Sequence, residues 1–175
     1  MNRAKPERPP TIDGLDIRAF EAGDWAELWP IIREIAAAQE TFTYDPAMSE
    51  AGARAIWIEP LPGLTVVAVE KGQILGSAKM GTNRPGPGSH VATASFMVAE
   101  AARGHGVGSA LCRYALDWAR TRGYASMQFN AVAASNLAAI KIYERLGFKI
   151  VGTVPCAFAH PKLGRVGLHI MYCEL

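Results

Sequence analysis

The segment from Val98 to Ser109, Val-Ala-Glu-Ala-Ala-Arg-Gly-His-Gly-Val-Gly-Ser, has the residue types of an anion-binding turn. An apolar run rich in β-forming residues, 91 to 98, precedes it, and an amphipathic helical pattern follows it. Glycines at a strand-to-helix junction let a ligand approach the backbone, and the free N–H groups of a first helical turn attract anions. The segment therefore predicts a phosphate site, with a tight turn without a ligand as the alternative. The candidate contacts are Arg103, Gly104, His105, Gly106, Val107, Gly108 and Ser109.

Two well-known glycine loops do not fit this turn. A P-loop needs Gly-Lys-Ser/Thr at its end, and no lysine follows these glycines. The dinucleotide fingerprint needs a third glycine three residues after the second, where this chain has Ser109. The spacing Arg103-x-x-Gly106-x-Gly108 instead resembles the acetyl-CoA pyrophosphate loop of the GNAT superfamily of N-acetyltransferases.

A second segment, 135 to 148, extends the resemblance. It reads Ser-Asn-Leu-Ala-Ala-Ile-Lys-Ile-Tyr-Glu-Arg-Leu-Gly-Phe and follows a strand pattern, 124 to 132. Ser135 or Asn136 can cap a helix, and Gly147 can close it. An Asn followed seven positions later by Tyr143, and then by Gly-Phe, is similar to the second GNAT motif.

The resemblance implies acetyl-CoA as the cosubstrate, with no metal, and a residue for each part of the transfer. The backbone N–H groups of Phe96, Met97 and Val98 would lie along the pantetheine arm, and Asn136 would bond its amide. Tyr143 would protonate the departing thiolate, because a phenol with a pKa of about 10 is protonated at neutral pH. The alternatives are a core tyrosine with a satisfied hydroxyl and an asparagine that only caps its helix.

The sequence gives a weaker indication of the general base than of the general acid. The predicted strand 91 to 98 contains no carboxylate, and Glu100 lies past its end. His90, at the start of that strand, is the candidate base, directly or through water. A surface histidine in a loop is the alternative interpretation.

The resemblance also narrows the acceptor to a small amino acid. The segments 76 to 90, Phe129-Asn130 and Gly152-Thr-Val-Pro are similar to yeast acetyltransferases of proline analogues such as azetidine-2-carboxylate, and more distantly to phosphinothricin-type acetyltransferases. The resemblance implies that Asn83 and Asn130 hold the substrate carboxylate, since amide N–H groups bind a carboxylate without a buried charge. Phe42 and Tyr44 would lie beside the substrate side chain. A turn residue and a strand-end residue are the alternatives for the two asparagines.

Composition and element order indicate one α/β (α+β) domain. Residues 1 to 13 are polar and Pro-rich and predict a disordered tail, and residues 14 to 175 predict a single domain. The periodicities give the order β, α, α, β, β, β, α, β, α, β, β, with Asp24 capping the first helix and final strands at 149–154 and 166–174. The resemblance implies the GNAT fold, a mixed and mostly antiparallel sheet of about seven strands flanked by about four helices.

Charge, cysteines and apolar runs restrict the partners. A net charge of +2 is too small to indicate nucleic acid, and no apolar run reaches membrane-span length. Three cysteines, Cys112, Cys156 and Cys173, are odd in number and far apart, which predicts buried free thiols and a cytoplasmic protein. No signal peptide is recognised, and no Cys or His spacing indicates a metal. A homodimer is left open.

These residues and motifs fit three functions. The first is an acetyl-CoA-dependent N-acetyltransferase of a small amino acid or analogue, by direct attack of the amine. The second is a protein N-terminal or lysine acetyltransferase, which the segment 136 to 148 would also suit. The third is an acetyl-CoA-binding sensor, which loss of the tyrosine would have favoured, and Tyr143 is present.

Overall fold

The computed structural model describes residues 14–175, and the predicted tail, 1 to 13, lies outside the described residues. The described part of the chain has seven strands and four α-helices in the predicted order. The strands are β1 Leu15–Ala19, β2 Leu64–Glu70, β3 Gln73–Thr82, β4 Val91–Val98, β5 Ser126–Ala133, β6 Lys149–His160 and β7 Gly164–Glu174. The helices are α1 Trp25–Ala38, α2 Glu50–Trp57, α3 Val107–Thr121 and α4 Leu137–Arg145. Short 3₁₀ turns occupy Ala22–Asp24, Gly86–Gly88 and Glu100–Ala102.

One mixed sheet joins all seven strands in the order β1-β2-β3-β4-β5-β7-β6. Every neighbouring pair is antiparallel except β4 and β5, which run parallel. A parallel pair needs a crossover, and α3 supplies it. The parallel pair thus joins two antiparallel halves, and it carries the glycine turn at the carboxyl end of β4.

Alternation along the strands divides the core between the two faces of the sheet. Val66 packs in a cluster with Leu111 and Trp118 of α3, whereas its neighbour Val67 packs in a second cluster with α1 and α2. The same split occurs on β4, where Ala94 belongs to the α3 cluster and Met97 to the other. The two faces of the sheet are therefore covered by different helix pairs.

Three local predictions are wrong in detail. The Asp24 side chain makes no cap bond to α1, since it accepts hydrogen bonds from Arg18 and from the Glu21 N–H within the preceding 3₁₀ turn. Strand β6 continues to His160, because a register shift between Val154 and Phe158 accommodates Pro155. Cys156 lies in that shift with φ 55° and is exposed, whereas Cys112 and Cys173 are buried as predicted.

Candidate functional site

The two parallel strands separate after their first residues and leave a gap in the sheet. Pairing between β4 and β5 is confined to Val91 with Ser126 and Ala92 with Met127. Beyond this point β5 pairs with β7 alone, while β4 stays paired with β3 as far as Val98. The second half of β4 therefore has an open edge.

Alternation fixes which backbone groups point into this gap. The Ala99 N–H bonds to Leu75 O and Val91 O accepts from Asn83 N, so the odd residues of β4 direct their backbone groups to β3. His90 O accepts from Ala125 N on the other side, and the β3–β4 register is unbroken. The backbone groups of Phe96 and Val98 therefore face the gap, where an extended ligand can pair with them. The Met97 N–H faces β3, and its side chain is buried.

The predicted phosphate turn lies at the end of this open edge. Gly104 and Gly106 have φ of 82° and 84°, and Gly106 is the N-cap of α3 with no side-chain cap. The N–H groups of Val107, Gly108 and Ser109 are therefore free, since they belong to the first helical turn. The side chains of Arg103 and His105 are exposed, and that of Val107 is buried. A Cβ on Gly108 would lie in ordinary van der Waals contact with Val98 and Ile142, at 3.6 and 3.7 Å, so helix packing alone does not require a glycine here.

Tyr143 is held on α4 by an aromatic cluster beside the gap. Its ring centroid lies 4.7 Å from that of Phe129 and 6.0 Å from those of Phe96 and Phe148. Burial raises the pKa of the Tyr143 phenol above its ordinary value, and Cys112 adds to the shift. No described residue hydrogen-bonds the hydroxyl. The Asn136 side-chain oxygen caps α4 by accepting the Ala139 N–H at 3.3 Å, which leaves its Nδ2 as a free donor.

A cavity of about 190 Å³ connects Tyr143 with the opposite face of the sheet. Phe42 and Tyr44 line it from the loop between α1 and α2, and Asn130 lines it from β5. Phe42 packs 5.1 Å from Tyr44 and 6.0 Å from Trp57, whose indole N–H bonds to Ser77 Oγ. Burial raises the pKa of Tyr44 to about 12, with a smaller effect of the Glu59 charge. The two aromatic residues are thus firmly anchored.

The two predicted asparagines meet across 47 residues of sequence. Asn130 Nδ2 donates to Asn83 Oδ1 at 2.6 Å, and Gln128 Nε2 donates to Asn130 Oδ1 at 2.7 Å. Asn130 is not a strand-end residue, which was the alternative interpretation, because β5 continues to Ala133 through a register shift after Phe129. Such a bulge re-aims the side chains beside it.

His90 lies apart from this cavity. It lines a separate depression with Ser89, Arg122 and Tyr124, at the closed end of the gap where β4 and β5 are paired. The cavity instead begins at Thr93, toward the open end. The structure therefore does not bring His90 together with Tyr143, and no Asp, Glu or His lies among the described cavity-lining residues.

Several polar residues of the site were missed by the sequence analysis, among them three on strands. Thr93 and Ser95 line the cavity, and Gln128 bonds to Asn130. All three stand between apolar residues at alternate positions of their strands, and this alternation is the signal that could have identified them. In residues 14–175, no helix is long and apolar enough to cross a membrane. Within that range, no three His, Cys, Asp or Glu side chains lie close enough together to hold a metal ion.

Comparison with known proteins agrees with this geometry. The sequence model of the Acetyltransferase (GNAT) family matches residues 29–148. A solved GCN5-related N-acetyltransferase from Kribbella flavida is 50% identical, with a TM-score of 0.91 over 94% of this chain and 100% of that one. The structure of yncA from Salmonella typhimurium, a putative acetyltransferase with its cofactor acetyl-CoA, is 25% identical, with a TM-score of 0.77 over 92% of this chain and 94% of that one.

The similarity to one curated relative covers only part of each protein. N-acetyltransferase aca1 of Schizosaccharomyces pombe is 33% identical over 96 residues, which are 54% of this chain and 46% of that protein. This chain therefore spans about half of the length of that relative.

Proposed function

The chain belongs to the acetyltransferase (GNAT) family, and we propose on that premise that it transfers an acetyl group from acetyl-CoA to the amine of a small amino acid or analogue. The observation that carries this proposal is the gap between β4 and β5. Tyr143 stands on one side of the gap, and Asn130 and Tyr44 stand on the other, around one cavity. A donor and an acceptor can thus enter from opposite faces of the sheet and meet there.

The residues around the gap fit acetyl-CoA. The free N–H groups of Val107, Gly108 and Ser109 suit a pyrophosphate, and exposed Arg103 adds a positive charge. The open backbone edge at Phe96 and Val98 suits the amides of an extended pantetheine arm, with the free Nδ2 of Asn136 as a further donor. When bound, acetyl-CoA supplies the acetyl group as a thioester.

Tyr143 would act as the general acid. The amine nitrogen would form a bond to the carbonyl carbon as the carbon–sulfur bond breaks, and the Tyr143 hydroxyl would give its proton to the sulfur and regain one from solvent. A raised pKa keeps the phenol protonated before this step. Since no carboxylate or histidine lines the described cavity, the proton of the amine passes to solvent. His90 is left out of this proposal because of its place at the closed end of the gap.

Asn83 and Asn130 would bind the carboxylate of the acceptor, with its side chain against Phe42 and Tyr44. An amide donor lost from a binding site costs about 1–3 kcal/mol. We therefore expect Asn83→Ala and Asn130→Ala to raise the KM for a free amino acid about tenfold or more without changing the KM for acetyl-CoA. Gln73→Ala, at the exposed first residue of β3, is the matched control and should match the wild type.

The measurement is CoA release with azetidine-2-carboxylate and a panel of free amino acids, beside peptides with free N-termini or lysines. Turnover of peptides alone would reject the small-substrate proposal in favour of a protein acetyltransferase. Acetyl-CoA binding without any turnover would favour the sensor. The homodimer also stays a proposal, supported by Val151 and Val154 on edge strand β6, which are 60% and 50% exposed.

A further inference from the structure

The hydrogen bonds between Gln128, Asn130 and Asn83 form a chain with one direction. Gln128 Nε2 donates to Asn130 Oδ1 at 2.7 Å, and Asn130 Nδ2 donates to Asn83 Oδ1 at 2.6 Å. Each primary amide has a donor end and an acceptor end, so the orientation of one amide sets that of the next. The chain therefore ends on the Asn83 NH₂ group, which no described side chain or backbone oxygen accepts.

The same three side chains have a second arrangement, with every amide turned over. Asn83 Nδ2 would then donate to Asn130, Asn130 would donate to Gln128 Oε1, and Asn83 Oδ1 would be the free end. A free amide oxygen suits an ammonium group, whereas a free NH₂ group suits a carboxylate. The direction of the chain thus decides the charge of the group that the site accepts.

Gln128 is the part of the chain furthest from the proposed substrate. It faces the same side of β5 as Asn130, two residues away, while Met127 and Phe129 are buried on the α3 side. Its side chain belongs to neither apolar cluster and does not line the cavity. Its hydrogen bond to Asn130 is therefore its main described interaction.

We infer that Gln128 is a positioning residue that selects amine substrates carrying a carboxylate. It holds Asn130, which lines the acceptor cavity, so that Asn83, which is bonded to Asn130 but does not itself line the cavity, keeps its NH₂ group free for the carboxylate. This inference rests on the proposed function. Gln128 touches neither substrate nor acetyl-CoA and acts only through the two asparagines.

Two substitutions separate the loss of this orientation from its reversal. Gln128→Met keeps the length of the side chain and removes its donor, so Asn130 can turn. Gln128→Glu offers only acceptor oxygens, so Asn130 Nδ2 must turn toward residue 128 and Asn83 Oδ1 becomes the free end. We expect the KM for azetidine-2-carboxylate to rise about tenfold in Gln128→Met and about a hundredfold or more in Gln128→Glu.

Two controls are used. One is azetidine, the substrate analogue that lacks the carboxylate, and the other is a glutamine-to-methionine substitution at a position far from the site. The kcat/KM for azetidine, which lacks the carboxylate, should be unchanged in Gln128→Met and unchanged or raised in Gln128→Glu. The KM for acetyl-CoA should be unchanged in both variants. Gln73→Met, at the exposed first residue of β3, should match the wild type throughout.

Each outcome has a distinct meaning. If the wild type acetylates azetidine-2-carboxylate or another free amino acid and both variants keep its KM, the inference about Gln128 is wrong and the proposed function stands. Equal losses with azetidine and its carboxylate would show a merely structural role. If the wild type acetylates no carboxylate-bearing amine, the proposed function fails and this inference with it. NMR of the side-chain NH₂ groups gives an independent readout, since Gln128→Met should shift those of Asn130 and Asn83, and unshifted signals would refute the chain.

Discussion

At the scale of single residues, Tyr143 shows how packing prepares a group for chemistry. The rings of Phe96, Phe129 and Phe148 surround it and raise the pKa of its phenol. Their packing fixes the position of the ring, and no described hydrogen bond holds the hydroxyl. The proton is thus kept on the oxygen and remains available to a partner in the cavity.

We expect Tyr143→Phe to lower kcat by about 10²- to 10⁴-fold with little change in the KM for acetyl-CoA. The variant loses one oxygen atom at the edge of the apolar cluster, so its thermal unfolding should match the wild type. Steady-state kinetics over both substrates, with single-turnover measurements to isolate chemistry, give the test. Near-native single-turnover rates would remove Tyr143 from the acid role.

The same residue sets an expectation for pH. An acid must be protonated to act, and its raised pKa moves the loss of the proton above the ordinary value of about 10. The wild-type kcat should therefore show no alkaline decline from Tyr143 below about pH 10. At lower pH, kcat/KM should fall as the substrate amine becomes protonated, and this limb should move with the pKa of the amine tested.

At the scale of elements, the turn before α3 combines backbone conformation with anion binding. Gly104 and Gly106 take left-handed φ values, which direct the chain so that the free N–H groups of the first turn stay exposed. An L-residue at such a position costs about 1–2 kcal/mol. The glycines are thus required first by the turn itself and only then by a ligand.

A matched pair of substitutions separates these two roles. Gly106→Ala and Gly123→Ala introduce alanine at φ of 84° and 77°, one in the turn and one after α3. We expect both to lower the free energy of unfolding by a similar amount, about 1–2 kcal/mol. Only Gly106→Ala should weaken acetyl-CoA binding in calorimetry, by about tenfold or more. Undiminished affinity in Gly106→Ala would place the pyrophosphate elsewhere.

At the scale of the whole molecule, one ion pair connects the loop between α1 and α2 to the carboxyl-terminal hairpin of β6 and β7. Lys162 Nζ, at the turn between β6 and β7, lies 2.9 Å from Glu40 Oε1, just before the loop that carries Phe42 and Tyr44. The hydrogen bond from Lys162 lowers the pKa of Glu40, with smaller effects of His160 and Arg103. Residues that are distant in sequence thus meet at the mouth of the site.

We expect Lys162→Ala to leave the unfolding midpoint unchanged, because exposed ion pairs contribute little to stability. It should raise the KM for the amine by about twofold to fivefold, since the loop loses one of its restraints. The same rise should occur in the wild type at high salt, which screens the pair. Lys149→Ala, on β6 of the same hairpin, is the control. The charge-swapped double variant Glu40→Lys/Lys162→Glu should restore the KM, and a KM that stays raised would refute the restraint.

Much of the architecture was predictable because its signals are local. The order of eleven strands and helices followed from periods of two and 3.6 residues. A helix cap at Ser135 or Asn136 was also predicted, and the Asn136 side chain accepts a backbone N–H. The Asp24 cap was wrong because Arg18, on the neighbouring strand, competes for the same carboxylate.

The sequence by itself determined the glycine turn, the helix that follows it and the spacing from Asn136 to Tyr143, because each lies within one contiguous segment. Only the tertiary structure decided where β4 and β5 separate, since strand pairing depends on residues far apart in the chain. That separation gives Phe96 and Val98 an open edge and leaves His90 at the closed end, while the β3–β4 register directs the Met97 N–H to β3. The tertiary structure also brings Asn83 to Asn130 and Gln128. The side chains of Asn130 and Gln128 lie on one face of the sheet because of the strand register and a bulge in β5, which no local sequence pattern encodes.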